Sequence, residues 1–222
     1  MVAEVILIGV GHVFDIANRV RNIIVEKKPD VVAVELDYGR AMALINRGKG
    51  GRKSNSNVLY YILAKLQKRI SRKFGVESGE EMLAALKAAE EIEAAVYFID
   101  MDANMVIQKL WNSMSFRRKI QVFILSFLSL FFSKKKVEGE IEKFEKSPNE
   151  YLDIMGKNFP EFKKILIDER NEYMASQLKN FLIDDRKILA VVGEGHIEGI
   201  KKILEDENIK VEVIHLANLM KS

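Results

Sequence analysis

Three short runs of this chain are apolar at every position: Val5–Ile8, Val31–Val34 and Ile188–Val192. A strand with water on one face alternates apolar and polar residues, so unbroken runs imply strands covered on both faces. Ala95–Ile99 and Val211–Ile214 read as two further strands of the same sheet. Amphipathic stretches separate them. Val13, Ile16, Ala17, Val20, Ile23 and Ile24 recur at helical spacing before Lys27-Lys28-Pro29-Asp30 stops the pattern. An Ala- and Glu-rich helix is expected over 80–93, and another over 197–205. Strands alternating with helices predict an α/β fold with a mostly parallel central sheet flanked by helices.

The middle of the chain breaks this rhythm. Residues 103–183 contain helical patterns and no strand pattern, which predicts a large helical insertion or lid. Ser147-Pro148-Asn149-Glu150 reads as a capping box with proline at the first helical position. Phe162, Ile165, Leu166, Glu169, Tyr173, Leu178 and Phe181 suggest a longer helix after it. At 222 residues, 48% hydrophobic and 30% charged, the whole of 1–222 is expected to form one α/β domain carrying the insertion.

The chain has no cysteine, which excludes disulfides, thiolate zinc sites and cysteine nucleophiles and is compatible with a cytoplasmic location. Thirty-five basic against thirty-two acidic residues give a net charge of +3, too even to point to nucleic acid. No signal peptide is read at the N-terminus. The longest candidate span, Val122–Phe132, is too short to cross a bilayer.

Of only three histidines, two stand in matching contexts. Gly9-Val10-Gly11-His12 and Gly193-Glu194-Gly195-His196 each follow an apolar strand and precede a helix. Ligands of open α/β sheets collect outside the carboxyl ends of the strands, and glycines there allow tight turns and close backbone approach. His12 and His196 are therefore expected at one carboxyl edge, their imidazoles within about 10 Å. The second strand delivers Glu35 to that edge, with Asp37 and Arg40 just beyond, and the third delivers Asp100 and Asp102. Two neutral imidazoles and a carboxylate make a usable first-row metal site that would acidify a bound water. Helix N-termini repel cations, so such a site needs the Glu35 charge as compensation. Metal-free catalysis with one histidine as base is the other catalytic option. The plainer reading has both histidines capping helices; the repetition of the motif favours a shared functional site.

On these residues the sequence resembles the TraB/PrgY family, related to the Tiki metalloproteases and the erythromycin-esterase and ChaN-like folds. The matching elements are Gly9-x-x-His12, Pro29 to Asp37 with Arg40, Gly79-x-Glu81-Met82, Ile99-Asp100, Trp111, Asp168-Glu169-Arg170 with Tyr173-Met174, and Val191 to His196 with Gly199-Ile200. The chain looks like a short archaeal-type member without the C-terminal membrane segment of longer relatives. The resemblance implies that both Gly-x-x-His motifs and a glutamate form the active site, and that His12, Glu35 and His196 bind a divalent metal such as manganese, cobalt or zinc. In Tiki-like members this site supports metal-dependent peptide hydrolysis; bacterial members block peptide-pheromone signalling. The expected function is accordingly a divalent-metal-dependent hydrolase acting on a peptide or small-molecule substrate. Arg170 would stabilise oxyanion charge or hold a substrate carboxylate, unless it forms an internal ion pair with Glu169, Glu81 or Asp100. Gly9, Gly11, Arg40, Glu81, Asp100, Gly193 and Gly195 are supporting candidates, though exposure is the default for Glu81 on its Ala-rich helix. Val10, Met101 and Lys109 depart from the residues usual in the family. The departures favour the alternative, a non-catalytic peptide- or partner-binding signalling regulator.

Other patterns carry less. Gly48-Lys-Gly-Gly-Arg-Lys53-Ser54 lacks the second glycine and the strand of a phosphate loop, so 47–53 reads as a solvated basic loop. The helix with Leu59, Ile62, Leu63, Leu66 and Ile70 on one face shows a basic opposite face, read as solvated. Ser126 and Ser129 lack the Gly-x-Ser-x-Gly setting of a serine hydrolase. His215 reads as structural. The segment 120–132 holds ten apolar residues in thirteen, more than one face can hide against its own sheet. It is expected at a homodimer interface, with transient membrane contact as the alternative, and with Lys134-Lys-Lys136 in solvent.

Overall fold

The structure, a computed structural model, describes residues 4–11, 16–46, 79–120, 148–182 and 186–220. His12, the basic loop 47–53, the helix expected around Leu59–Ile70 and all but the first residue of 120–132 lie outside the described residues, as does Lys134-Lys-Lys136.

Five parallel strands form one sheet in the order β3-β2-β4-β1-β5: β1 (Glu4–Val10), β2 (Val31–Val34), β3 (Ala95–Phe98), β4 (Lys187–Gly193) and β5 (Lys210–Ile214). The unbroken apolar runs mark these strands because both faces are covered. Ile6, Ile8, Val32, Val34, Leu189 and Val191 pack on one face, against α1 (Ala17–Lys27), α2 (Tyr38–Ile45), α3 (Glu80–Glu91) and the final helix. Val5, Leu7, Val31, Ala33, Ile188, Ala190 and Val192 pack on the other, against α7 (Glu169–Lys179) and α8 (Ile197–Glu205). Every one of these strand residues is fully buried. At about 25 cal/mol per Å² of apolar area removed from water, these two layers supply the main driving force for folding.

Between β3 and β4 the described residues hold helices and no strand: α4 (Ala103–Ser113), α5 (Pro148–Asn158), α6 (Pro160–Lys163) and then α7. Pro148 begins α5, as its fixed φ and missing N–H suit. The single longer helix expected around Phe162–Phe181 is interrupted. Lys164–Asp168 forms a π turn between α6 and α7, and Phe181 lies beyond the end of α7, stacked on Tyr97 at 3.9 Å between ring centroids. After β5 the chain ends its described part in α9 (Leu216–Met220). No helix among the described residues is long and apolar enough to cross a membrane.

Candidate functional site at the carboxyl edge of the sheet

The strand order puts the chemistry-bearing strand ends side by side. β4 lies between β1 and β2, with Val10 opposite Gly193 and Val34 opposite Val191. Both Gly-x-Gly turns therefore leave adjacent parallel strands at the same edge. Glu35, one residue past β2, stays in the sheet's hydrogen bonding by donating its N–H to the Val191 carbonyl at 3.0 Å. Asp100, two residues past β3, donates its N–H to the Leu36 carbonyl at 3.2 Å. Glu35, Asp37, Asp100, Asn171 and His196 are all buried.

Buried carboxylates are costly unless paired and hydrogen-bonded. Here two arginines pair them. Arg170, in the first turn of α7, donates from Nε to Asp100 Oδ1 at 2.9 Å and from Nη2 to Asp100 Oδ2 at 2.8 Å. The same Nη2 donates to Glu35 Oε1, and Nη1 donates to the Leu166 carbonyl of the π turn at 3.1 Å. Arg40 joins Asp100 Oδ2 through Nη2 and Asp37 Oδ2 through Nε, the latter at 2.5 Å. Burial works to lower the pKa of both arginines, but the hydrogen bonds and charges of Asp100 with Glu35, and of Asp100 with Asp37, outweigh it and raise both. Burial likewise opposes ionisation of Asp37, yet hydrogen bonds from Arg40 hold its carboxyl below the ordinary value. Asp37 also caps α2 by accepting the Arg40 N–H at 2.9 Å.

Glu35 has a second anchor. The Gly193 N–H donates to Glu35 Oε2 at 2.5 Å, just before the 3₁₀ turn Glu194–His196 that leads into α8. A carboxylate is thus seated at a helix N-terminus, where it offsets the positive end of the dipole. Gly193 permits this approach, since a Cβ there would stand 3.2 Å from Glu35 Oε2 and 3.7 Å from the His196 ring. His196 Nε2 faces Glu35 Oε1 at 3.5 Å, and His196 Nδ1 lies 2.7 Å from Asn171 Oδ1.

A tetrahedral first-row ion at ~2.1 Å from each donor separates a nitrogen and an oxygen ligand by about 3.4 Å, close to the His196–Glu35 spacing. The pair therefore fits two positions of a metal site. No group of three His, Asp or Glu side chains among the described residues is arranged to hold a metal, and His12, the third expected ligand, lies outside them.

The other expected residues fall in several places. Gly11 is buried at the end of β1. Arg40 and Asp100 belong to the ion-pair cluster. Arg170 is engaged with Asp100, as in its internal ion-pair reading, and with Glu35 as well. Glu81 is buried on the first turn of α3 and not exposed as its helix composition suggested; α3 packs its Glu81, Met82, Ala85, Ala88 and Ala89 face inward, against α1 and β2. Lys109 pairs with Glu169 at 2.7 Å. Sequence reasoning missed Asn171, and it missed Glu194, whose carboxylate takes His215 Nδ1 at 2.7 Å and the Leu216 N–H at 2.8 Å. The signal available for Glu194 was a carboxylate held between two glycines at a strand end.

Residues 2–213 match the profile of the TraB/PrgY/gumN family. The chain belongs to this family. It is also 30% identical over 212 residues to an uncharacterized protein of Methanocaldococcus jannaschii. That match covers 91% of this chain and 53% of the archaeal protein, so the chain spans about half the length of this relative. The family match takes in every member of the carboxyl-edge cluster, from Glu35 through Asp100 and Arg170 to His196.

Proposed function

We propose that this TraB-family chain is a divalent-metal-dependent hydrolase of peptide bonds, with Glu35, His196 and His12 holding the metal. The observation that carries the proposal is the buried approach of His196 Nε2 to Glu35 Oε1 at 3.5 Å. The bound metal would supply an acidified water as nucleophile near neutral pH. The chain's own residues supply the geometry. Arg170 fixes one oxygen of Glu35 and Gly193 N–H fixes the other, so the carboxylate presents one orientation toward His196. Peptide as the substrate rests on the resemblance to Tiki-like members.

The test uses the whole purified protein. Metal analysis, with manganese, cobalt and zinc titrations by calorimetry, should give specific uptake, and a peptide library should be cleaved in the presence of the bound ion. Glu35→Gln should remain folded and lose both. A wild type that takes up none of the three ions overturns the proposal.

One observation favours a second reading, a non-catalytic peptide- or partner-binding regulator. Arg170 commits its guanidinium to two carboxylates and a carbonyl, which leaves no open fork for an oxyanion or a substrate carboxylate. Specific metal uptake with no cleavage of any library member decides for that reading. We further propose a homodimer built on 120–132, supported by the apolar density of that segment.

A further inference from the structure

We infer that Asn171 is a positioning residue that fixes the tautomer of His196, and that Gly199 is the residue that makes room for it. The inference rests on the reading of His196 as a metal-binding histidine and adds how its ring is set. An amide side chain on a helix gains nothing from burial by itself, and a buried polar group costs free energy unless it is hydrogen-bonded. Asn171 is nevertheless 5% exposed within α7. Its Oδ1 stands 2.7 Å from Nδ1 of a histidine that is equally buried.

An amide oxygen only accepts, so the ring atom facing it must carry the proton. A neutral His196 is thereby held as the Nδ1–H form, with Nε2 as the electron-pair donor. Nε2 is the atom turned toward Glu35 Oε1. The opposite tautomer would place two acceptors face to face at 2.7 Å, a closer and costlier conflict than the 3.5 Å that separates an unprotonated Nε2 from Glu35 Oε1, and would occupy Nε2 with hydrogen. The tautomer of a metal-binding histidine is set in this way by whatever its other nitrogen touches.

Gly199 explains how Asn171 gets there. His196 and Gly199 are three residues apart at the start of α8 and so share one face, the face that α7 crosses. A Cβ at Gly199 would fall on the Asn171 amide nitrogen and lie 2.8 Å from its Cγ. Any side chain at 199 must push the amide away from His196. Arg170 and Asn171, adjacent on α7, thus orient Glu35 and His196 respectively.

The experiment is nitrogen-15 NMR of histidine-labelled, chelator-treated protein at alkaline pH, where an imidazole of ordinary pKa is neutral. His196→Gln identifies the His196 signals. The wild type should show the Nδ1–H tautomer at His196, and Asn171→Asp, which still accepts from Nδ1, should keep it. Asn171→Leu and Gly199→Ala should populate the Nε2–H form and weaken zinc binding by about 10–100-fold. Gly199→Ala leaves both hydrogen-bonding residues in the chain, so it carries the test if Asn171→Leu does not fold. An Nε2–H tautomer in the wild type, or an unchanged tautomer in Gly199→Ala, overturns the inference. Because the tautomer is read without metal, a protein that takes up no metal overturns only the metal reading.

Discussion

Glu35 and Asp100 leave the ends of adjacent parallel strands and are joined through a single nitrogen, Nη2 of Arg170. The link ties the two strand ends to α7, which arrives from the far end of the β3–β4 connection. A guanidinium suits this place because its planar fork gives Asp100 two parallel hydrogen bonds and still reaches Glu35.

Arg170→Met should therefore destabilise the protein by about 3–5 kcal/mol, the usual cost of leaving buried carboxylates without their partner. Arg170→Lys should recover only part of this, since an ammonium cannot make the two-point contact with Asp100. Urea unfolding midpoints with matched slopes measure both. A loss below about 1 kcal/mol in Arg170→Met would show that Arg40 alone compensates Asp100.

The strands are legible in the sequence because unbroken apolar runs can only be covered on both faces; the run Val31–Val34 has the bounds of β2 itself. Glu35 is legible for a related reason, as a polar residue placed directly beyond such a run, and His196 through the Gly-x-Gly turn that follows another. Strand order is not, because pairing is decided by contacts far apart in the chain, and only that order puts Glu35 next to Gly193. The π turn at Lys164–Asp168 leaves no mark on the apolar spacing, which therefore predicts one continuous helix there. Asn171 gives no signal either. A single asparagine in a helix reads as exposed, and its meaning depends on Gly199, far along the chain, being small enough to admit it.

The assembly expectation concerns 120–132. Each large apolar side chain buried there contributes on the order of 1.5–3 kcal/mol, enough to drive association if the face is open. Light scattering should report a dimer or larger oligomer, and Phe127→Asp with Phe131→Asp should give a monomer or insoluble protein. A monodisperse wild-type monomer removes the dimer, and flotation of the wild type with vesicles decides for membrane contact.

Acid stability follows from Asp37. Its folded pKa lies below the ordinary 3.8 because Arg40 hydrogen-bonds the ionised form against the cost of burial. A depressed carboxyl binds fewer protons when folded than when unfolded, so its contribution is complete above the unfolded value and is lost as pH falls through the folded one. Asp37→Asn keeps an N-cap for α2 but not the charge toward Arg40. The substitution is thus expected to cost stability at neutral pH, with the gap to wild type closing as pH falls from about 4 downward. Equal gaps at neutral and acid pH would assign the loss to the cap alone.

Gly9 offers the sharpest test of how the two Gly-x-Gly turns fit together. A Cβ at position 9 would fall on Glu194 Oε2 and stand 3.0 Å from its Cδ and 3.1 Å from Ile197 Cγ1. A carboxylate at the end of a free side chain could swing aside at little cost. Glu194 is not free, because His215 and the Leu216 N–H hold both its oxygens at the start of α9. Gly9→Ala must therefore break that grip or push β1 away from α8, at a cost of about 1–3 kcal/mol. The two sources separate in a double-mutant cycle with Glu194→Ala. If the grip of Glu194 is the obstacle, Gly9→Ala should cost clearly less in the Glu194→Ala background. Equal costs in both backgrounds would place the clash on Ile197 and leave Glu194 without a part in fitting the turns together.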